Sequence, residues 1–151
     1  MKSPKNSQHG KIEKLAKALG VDSDDIFVDE AQSHYGLSVF GCGRAEYAFG
    51  ADSEADEACQ NYIRDSIWAF KAEFILSACG LPLALRKAIE IYQREECENA
   101  NEPLLELVEK NCGLVLFSEK AIEADGRGHF LASYDGEENQ VSGSDLYFYR
   151  I

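Results

Sequence analysis

Apolar residues recur at helical spacing in several stretches of the chain. Over 11–20 they share one face, and Gly20 stands where a helix commonly ends. The clearest helix is predicted for 52–70, where acidic residues crowd the first turn and suit the positive end of the helix dipole. Ser53 is expected to be its N-cap, with Asp56 as the acid of a capping box. Its apolar stripe comprises Ala55, Cys59, Tyr62, Ile63, Ile67 and Phe70.

The second half of the chain predicts three further helices. One spans 83–99 and turns Leu85, Ala88, Ile89 and Tyr92 inward. Another spans 101–113, with Leu104, Leu105 and Val108 as its buried positions. A shorter helix is predicted around 118–123, capped by Ser118.

Alternation of apolar and polar residues predicts strands at two places. Residues 33–50 read as a β-hairpin, with Tyr35, Leu37 and Val39 on the first strand, Tyr47 and Phe49 on the second, and the glycines of "GCG" at the turn. The aromatic segment 145–151 predicts a closing strand that pairs with this hairpin. Residues 21–30 are interpreted as an acidic connector.

These elements predict an α+β fold in which a small antiparallel sheet, made of the early hairpin and the C-terminal strand, is packed by several helices. Residues 1–10 are polar and basic, and we expect them to form a flexible N-terminal tail. Residues 11–151 have the length of a single globular domain.

The charge balance narrows the choice of partners. The 151 residues include 15 basic and 27 acidic side chains, a formal charge of −12. Such a charge repels phosphate backbones, which argues against direct binding of nucleic acid. The basic surface of another protein is the better electrostatic match.

The cysteines and the absence of apolar runs indicate the compartment. An odd number of cysteines argues against a complete disulfide framework, and without a C-x-x-C pair they do not predict a zinc cluster. Neither a secretory signal nor an apolar run long enough for a membrane span is recognisable in the sequence. We therefore expect a cytoplasmic protein with reduced thiols, without a cofactor or a metal. The five cysteines are Cys42, Cys59, Cys79, Cys97 and Cys112.

The segment "DGRGHFLASYDGEEN", residues 125–139, permits two interpretations. As a catalytic loop, it supplies His129 as a general base, Asp125 or Asp135 as the acid that orients it, and Arg127 as an anion clamp. As a structural turn, it uses an aspartate for an Asx-turn, glycines for positive φ, and Arg127 to pair with an acid. The spacing of its carboxylates lacks the alternating pattern of an EF-hand calcium loop.

Clusters of acidic residues are the other candidate site. On a surface they can resemble phosphates in series and compete for a basic nucleic-acid channel, although charge runs are more often solvated faces. Pro103 and the residues before it are expected to interrupt a longer acidic ridge, so that only the part from Glu102 onward shares one face. The candidate partner-binding residues are Asp52, Glu54, Asp56, Glu57, Glu102, Glu106, Glu109, Asp135, Glu137 and Glu138.

Two stretches resemble a family of small, largely uncharacterised proteins of tailed phages. They are "EYAFGADSEADEACQNYIRDSIWAF", residues 46–70, and "GRGHFLASYDGEEN", residues 126–139, which is followed by "LYFYRI". The resemblance covers under half of the chain and carries no known chemistry. It implies a small acidic phage protein of the kind that blocks host machinery such as restriction enzymes or CRISPR effectors.

Three hypotheses of function follow from the sequence. The leading one is a non-enzymatic phage protein that binds and inhibits or modulates a host protein, such as a defence complex, by mimicking nucleic acid in the manner of an anti-CRISPR or antirestriction protein. The second is a small hydrolase or nucleotide-acting enzyme that uses the His129 loop. The third is a structural or regulatory phage protein without a host target.

Overall fold

The computed structural model of the chain describes residues 4–151, with side chains from Gln8 onward. Two compact units make up this part of the chain. The first, called the sheet unit, comprises the described residues up to Ala58 together with Arg127–Ile151, and the second, called the helical unit, comprises Cys59–Gly126. The single domain expected over 11–151 stays a prediction, because compactness does not measure independent folding.

The N-terminal helix is longer than the sequence pattern predicts. It begins at Pro4 rather than at residue 11 and ends at Leu19, giving α1 (Pro4–Leu19). Gly20, with φ of 70°, ends it as predicted. Residues 1–3 of the expected flexible tail lie outside the described residues.

The sheet unit is built on an antiparallel sheet of five strands, which are β1 (Ile26–His34), β2 (Leu37–Cys42), β3 (Ala45–Ala51), β4 (Asn139–Gln140) and β5 (Leu146–Arg150). Their order in the sheet is β1-β2-β3-β5-β4. The early hairpin pairs with the closing strand through β3 and β5, which confirms the predicted α+β fold.

The edge of this sheet corrects the interpretation of 21–35. The expected connector contains a single 3₁₀ turn at Ser23–Asp25, and the residues after it form β1. Tyr35 is not a strand residue, because it lies with Gly36 in the tight turn between β1 and β2, where φ is 55° and 101°. Both values are positive, as a two-residue hairpin turn requires.

The core of the sheet unit lies between α1 and one face of the sheet. Leu15 and Ala16 of α1 are buried in a hydrophobic cluster with Phe40, Phe49 and Phe148. These aromatic side chains come from three neighbouring strands, β2, β3 and β5, at alternate positions that point to the same face. Val39, Ala48 and Tyr149 point to the opposite face and are buried as well, so both faces of these central strands are covered.

Helix α2 (Asp52–Ser66) follows β3 directly and carries the first candidate acids. Ser53 is not its N-cap, and the predicted capping box with Asp56 is wrong. Instead, the Glu54 carboxylate reaches back and accepts a hydrogen bond from the Ala51 backbone N–H at 3.0 Å. This is the N3 half of a capping box, which satisfies the N–H at the N-cap position.

The helical unit contains the remainder of α2 and four further helices. They are α3 (Ala72–Cys79), α4 (Arg86–Glu96), α5 (Asn101–Asn111) and α6 (Leu114–Asp125). The Gln93 amide donates to the carbonyls of Trp68 and Phe70, at 3.0 and 2.7 Å, and this fixes α4 against the segment that follows α2.

The predictions for the helical unit are only partly confirmed. Ile89 and Tyr92 of α4 are half-buried, but none of its residues is buried, and Leu85 and Ala88 are exposed, so only part of the expected inward face is confirmed. The expected interruption before Glu102 is present, because α4 ends at Glu96 and a 3₁₀ turn at Cys97–Ala100 precedes α5, whereas Pro103 itself sits in the first turn of α5, where proline is tolerated. Ser118 is a buried mid-helix residue of α6 rather than its N-cap, because α6 begins at Leu114.

Candidate functional site

The segment 125–139 is not a continuous loop, because it contains the short helix α7 (Arg127–Leu131). Arg127 lies between two of the three glycines of this segment, Gly126, with φ of 82°, and Gly128. Four of the five helix residues are buried, and the exception is His129. The side chain that the sequence offers as a general base therefore points to solvent, while the arginine points inward.

Arg127 is the centre of the candidate site. Its side chain is 9% exposed and forms ion pairs with three carboxylates, those of Asp52, Asp56 and Glu138. The Nη1 atom lies 2.8 Å from Asp52 Oδ1 and 3.1 Å from Asp56 Oδ1, and it also donates to the Asp52 carbonyl at 3.0 Å. The Nε atom donates to Glu138 Oε2 at 2.7 Å. We call these four residues the arginine cluster.

Two tyrosines of β5 complete the surroundings of this arginine. The guanidinium carbon lies 4.5 Å from the centroid of the Tyr147 ring, a cation–π contact. The buried Tyr149 hydroxyl donates to Glu138 Oε2 at 2.6 Å. Glu138 thus accepts from both Arg127 and Tyr149, which ties the end of the turn to the sheet.

The electrostatics keep the guanidinium charged. Burial alone lowers the pKa of Arg127, but the hydrogen bonds to Glu138 and Asp52 outweigh it, so that the pKa lies above the ordinary arginine value. One positive charge therefore faces three carboxylates, and the arginine cluster keeps a formal charge of about −2 at neutral pH.

The exposure of the cluster is asymmetric. The Arg127 side chain is 9% exposed, whereas those of Asp52, Asp56 and Glu138 are 58%, 52% and 32% exposed. A molecule that approaches from solvent meets carboxylate oxygens in front of a buried cation. The arrangement presents acceptors to the outside and offers little access to the arginine as an anion clamp.

The turn after α7 is packed against the helix backbone. A Cβ on Gly128 would lie 2.4 Å from the Gly136 carbonyl oxygen and 2.8 Å from the Glu138 nitrogen, so only glycine fits there. Asp135 Oδ1 accepts from the Glu137 N–H at 3.0 Å, which forms an Asx-turn. These features match the structural interpretation of the loop.

The catalytic residues weighed from the sequence lie in different surroundings. His129 contacts the Phe130 ring, with centroids 5.0 Å apart, and within residues 8–151 the structure gives it no ion pair with a carboxylate. Asp125 ends α6 in the helical unit and is exposed. Asp135 is engaged in the Asx-turn, and Arg127 in the arginine cluster.

A polar cavity of about 250 Å³ lies elsewhere on the sheet unit. It opens beside the irregular part of β1, where the pairing with β2 shifts between Asp29 and Ser33. Asp29 uses its two oxygens for the Ala31 N–H and the Gln32 amide. The lining residues belong to α1, β1, the following turn and β2, and residues 125–139 contribute none of them.

The remaining acidic candidates divide between the two units. Glu54 and Glu57 of α2, and Glu137 of the turn, are exposed residues of the sheet unit. Glu102, Glu106 and Glu109 are exposed along α5 in the helical unit. A hydrogen bond and the charge of Lys110 lower the pKa of Glu106, so this acid is partly neutralised by its neighbour.

Sequence reasoning missed Tyr147 and Tyr149 as members of the site. The signal was present in "LYFYRI", since residues 147 and 149 alternate with apolar positions and must point to the face opposite Phe148. It also missed the role of Gly128, although two glycines around a single arginine indicate a close backbone approach.

Comparisons of the chain with known proteins add no family. No protein-family model matches it, no curated protein sequence matches it, and no solved structure matches it. Over residues 4–151, every helix is too short or too polar to cross a membrane. Among the same residues, histidine, cysteine and carboxylate side chains form no group of three that could hold a metal ion.

Proposed function

We propose that the protein is a non-enzymatic binding protein whose sheet unit presents a carboxylate surface to a basic surface on another protein. The observation that supports this most directly is the asymmetry of the arginine cluster, in which three carboxylates are exposed in front of a buried cation. Carboxylates exposed in this way offer acceptors and negative charge to a basic surface, as phosphates do.

The charge distribution of the sheet unit supports the same proposal. Without α1, the unit has 14 acidic and 3 basic residues over 20–58 and 127–151, a formal charge of −11. Of the three basic residues, Arg127 is buried and Arg150 lies over the Tyr134 ring at 3.7 Å. The third basic residue, Arg44 in the turn after β2, is exposed. The acids of this region therefore act together as a negative field.

The rival hypothesis of an enzyme receives less support from the geometry. General acid–base catalysis needs a base within hydrogen-bond reach of the group that orients it, and the anion clamp needs a free guanidinium. His129 is exposed on α7, and Arg127 already pairs with three carboxylates. The binding function explains both facts without further assumptions.

The partner that fits this surface is a protein whose basic groove binds nucleic acid. Carboxylates along α2 and the turn at 135–138 would occupy phosphate positions in that groove. We extend the proposal to a host protein met in the cytoplasm, such as a defence complex, because the resemblance to phage proteins implies such a target. This extension stays a prediction, as does the phage origin.

The proposal predicts capture that depends on salt and competes with DNA. The tagged chain is incubated with bacterial lysate at about 0.05 M salt and washed in steps to about 0.5 M, where screening is strong. We expect specific proteins to be retained at low salt, released at high salt, and displaced by a duplex oligonucleotide at low salt. Retention that responds to neither salt nor DNA would contradict nucleic-acid mimicry.

Two variants with the same change in charge locate the surface. The first, called the sheet-unit variant, combines Glu57→Gln, Glu137→Gln and Asp145→Asn, three exposed acids outside the arginine cluster. The second, called the α5 variant, combines Glu102→Gln, Glu106→Gln and Glu109→Gln. We expect the sheet-unit variant to weaken capture by about tenfold and the α5 variant to weaken it far less. Equal losses would show that binding follows net charge and not this surface.

A further inference from the structure

We propose that Cys79 and Cys112 are a redox-active thiol pair that closes to a disulfide by exchange with a small disulfide such as oxidised glutathione. This inference concerns the helical unit and does not depend on the proposed binding function. It adds a modification site to a chain whose cysteine count and spacing suggested only inert, reduced thiols.

The two sulfur atoms already face each other. Cys79 is the last residue of α3, and Cys112 follows the last residue of α5, so the ends of two helices bring the thiols together. Their Sγ atoms are 3.8 Å apart, although the residues are separated by 33 positions in the chain. The sulfurs must approach by a further ~1.8 Å to reach the S–S distance of about 2 Å in a disulfide.

The environment assigns different roles to the two thiols. Cys112 is partly exposed, whereas Cys79 is 9% exposed, so a dissolved disulfide reaches Cys112 first. Burial, together with the hydrogen bond and charge of Cys112, raises the pKa of Cys79 to about 12. Cys79 is therefore a poor first nucleophile and suits the second, resolving step.

Lys120 favours that second step. Its ammonium donates to the Ala78 carbonyl at 3.1 Å, and its charge lowers the pKa of Cys79. Once Cys112 carries a mixed disulfide, its sulfur is neither an anion that repels the Cys79 thiolate nor an anionic acceptor for the hydrogen bond of the Cys79 thiol. Two of the causes that raise the pKa of Cys79 are then removed, while the effect of Lys120 remains.

The exchange balances without any other reactant. The Cys112 thiolate attacks oxidised glutathione, forms a mixed disulfide and expels one glutathione thiolate. The Cys79 thiolate then attacks Cys112 Sγ and expels the second glutathione thiolate. The protein loses two protons and two electrons, and glutathione gains them as two reduced molecules.

The bond would clamp the segment that holds α4 and α5. Residues 80–111 lie between the two cysteines, and α4 within this segment has no buried residue and is held by the two hydrogen bonds of Gln93. A closed loop of this length loses much of its freedom in the unfolded chain, so oxidation stabilises the helical unit. The redox state of the pair therefore sets the free energy of local unfolding of residues 80–111.

Mass spectrometry tests the proposal directly. The folded full chain with Cys97→Ser, which removes the most exposed thiol, is treated with oxidised glutathione and then alkylated. We expect the intact mass before alkylation to fall by about 2 Da, two thiols to be lost, and digestion to yield a peptide pair joined through Cys79 and Cys112. Oxidation should raise the thermal midpoint by about 5 °C or more, and dithiothreitol should reverse it.

Variants that each lack one of the two cysteines separate the two roles. In Cys79→Ala, Cys112 should retain one glutathione, because the resolving thiol is gone. In Cys112→Ser, Cys79 should stay reduced, because the thiol that reacts first is gone. Lys120→Met should slow closure from the mixed disulfide while leaving the first step unchanged. A stable glutathione adduct on Cys112 of the chain that keeps Cys79, or a disulfide that joins other cysteines, would overturn the proposal.

Discussion

A buried arginine is stable only when its N–H groups are paired, and the N–H groups of Arg127 face three carboxylates. Truncation in Arg127→Ala leaves the Asp52, Asp56 and Glu138 carboxylates to repel one another and leaves the Tyr149 hydroxyl with a less ordered acceptor. We expect unfolding in urea to show a loss of about 2–3 kcal/mol, because the packing and hydrogen bonds of the buried guanidinium are lost while the exposed carboxylates can be rehydrated.

Two substitutions control this measurement. Arg127→Lys keeps the charge but cannot donate from both Nε and Nη1, so it should recover only a minor part of the loss. Arg44→Ala removes the same charge from an exposed turn and should change stability by less than about 0.5 kcal/mol. A loss of similar size in the Arg44 and Arg127 variants would mean that net charge, and not the local contacts, sets the effect.

Individual residues of the site were only partly predictable. The pairing of Arg127 with an acid follows from its position among carboxylates in the sequence, but the identity of those acids does not. Asp52 and Asp56 lie 75 and 71 positions away from Arg127, so the contact exists only once β5, α2 and α7 are assembled. Sequence spacing predicts contacts within a helix or a turn, but it does not predict contacts between residues this far apart in the chain.

At the scale of elements, the packing of the 135–138 turn onto α7 depends on a single missing side chain. Gly128→Ala would place a Cβ 2.4 Å from the Gly136 carbonyl oxygen. The obstacle is backbone, which cannot rotate away, so the turn must shift and pull Glu138 from Arg127. We expect a loss of about 2–3 kcal/mol in thermal or urea unfolding.

Gly10 supplies the matched control. It lies within α1, has ordinary helical geometry, and an added Cβ would meet nothing within 4 Å. Gly10→Ala should therefore stabilise the protein by about 0.5–1 kcal/mol through helix propensity alone. A stabilising Gly128→Ala would show that the turn does not pack as closely as the structure has it.

The elements that sequence patterns missed have a common physical cause. β1 is an edge strand with only Ile26 buried and with a break in pairing between Asp29 and Ser33, so it lacks the alternation that marks a half-buried strand. α4 shows the opposite case, in which a regular apolar period lies on a helix without any buried residue. Periodicity reports amphipathicity, and burial depends on what covers the element.

For the whole molecule, the fold class was predictable because it rests on repeated signals. The hairpin β2–β3 shows strand-like alternation, and the aromatic run of β5 indicates a strand with large side chains on both faces that needs a neighbouring strand to pair with. The division into a sheet unit and a helical unit was not predictable, because the boundary falls within α2 and the sequence shows no linker there.

Net charge acts on the whole chain, and its effect on stability can be measured separately from its effect on binding. A formal charge of −12 repels itself in the compact state, and added salt screens this repulsion. We expect the thermal midpoint, followed by circular dichroism, to rise by about 2–4 °C between about 0.02 and 0.3 M sodium chloride.

The sheet-unit variant provides the internal control for this measurement. Since it lacks three exposed acids, it should start from a higher midpoint at low salt and gain less from added salt. A midpoint that falls with salt would show instead that attractive pairs, those of Arg127 foremost, dominate the electrostatics. The salt that stabilises the free protein should weaken its capture of a basic partner, because screening removes repulsion within the chain and attraction across the interface together.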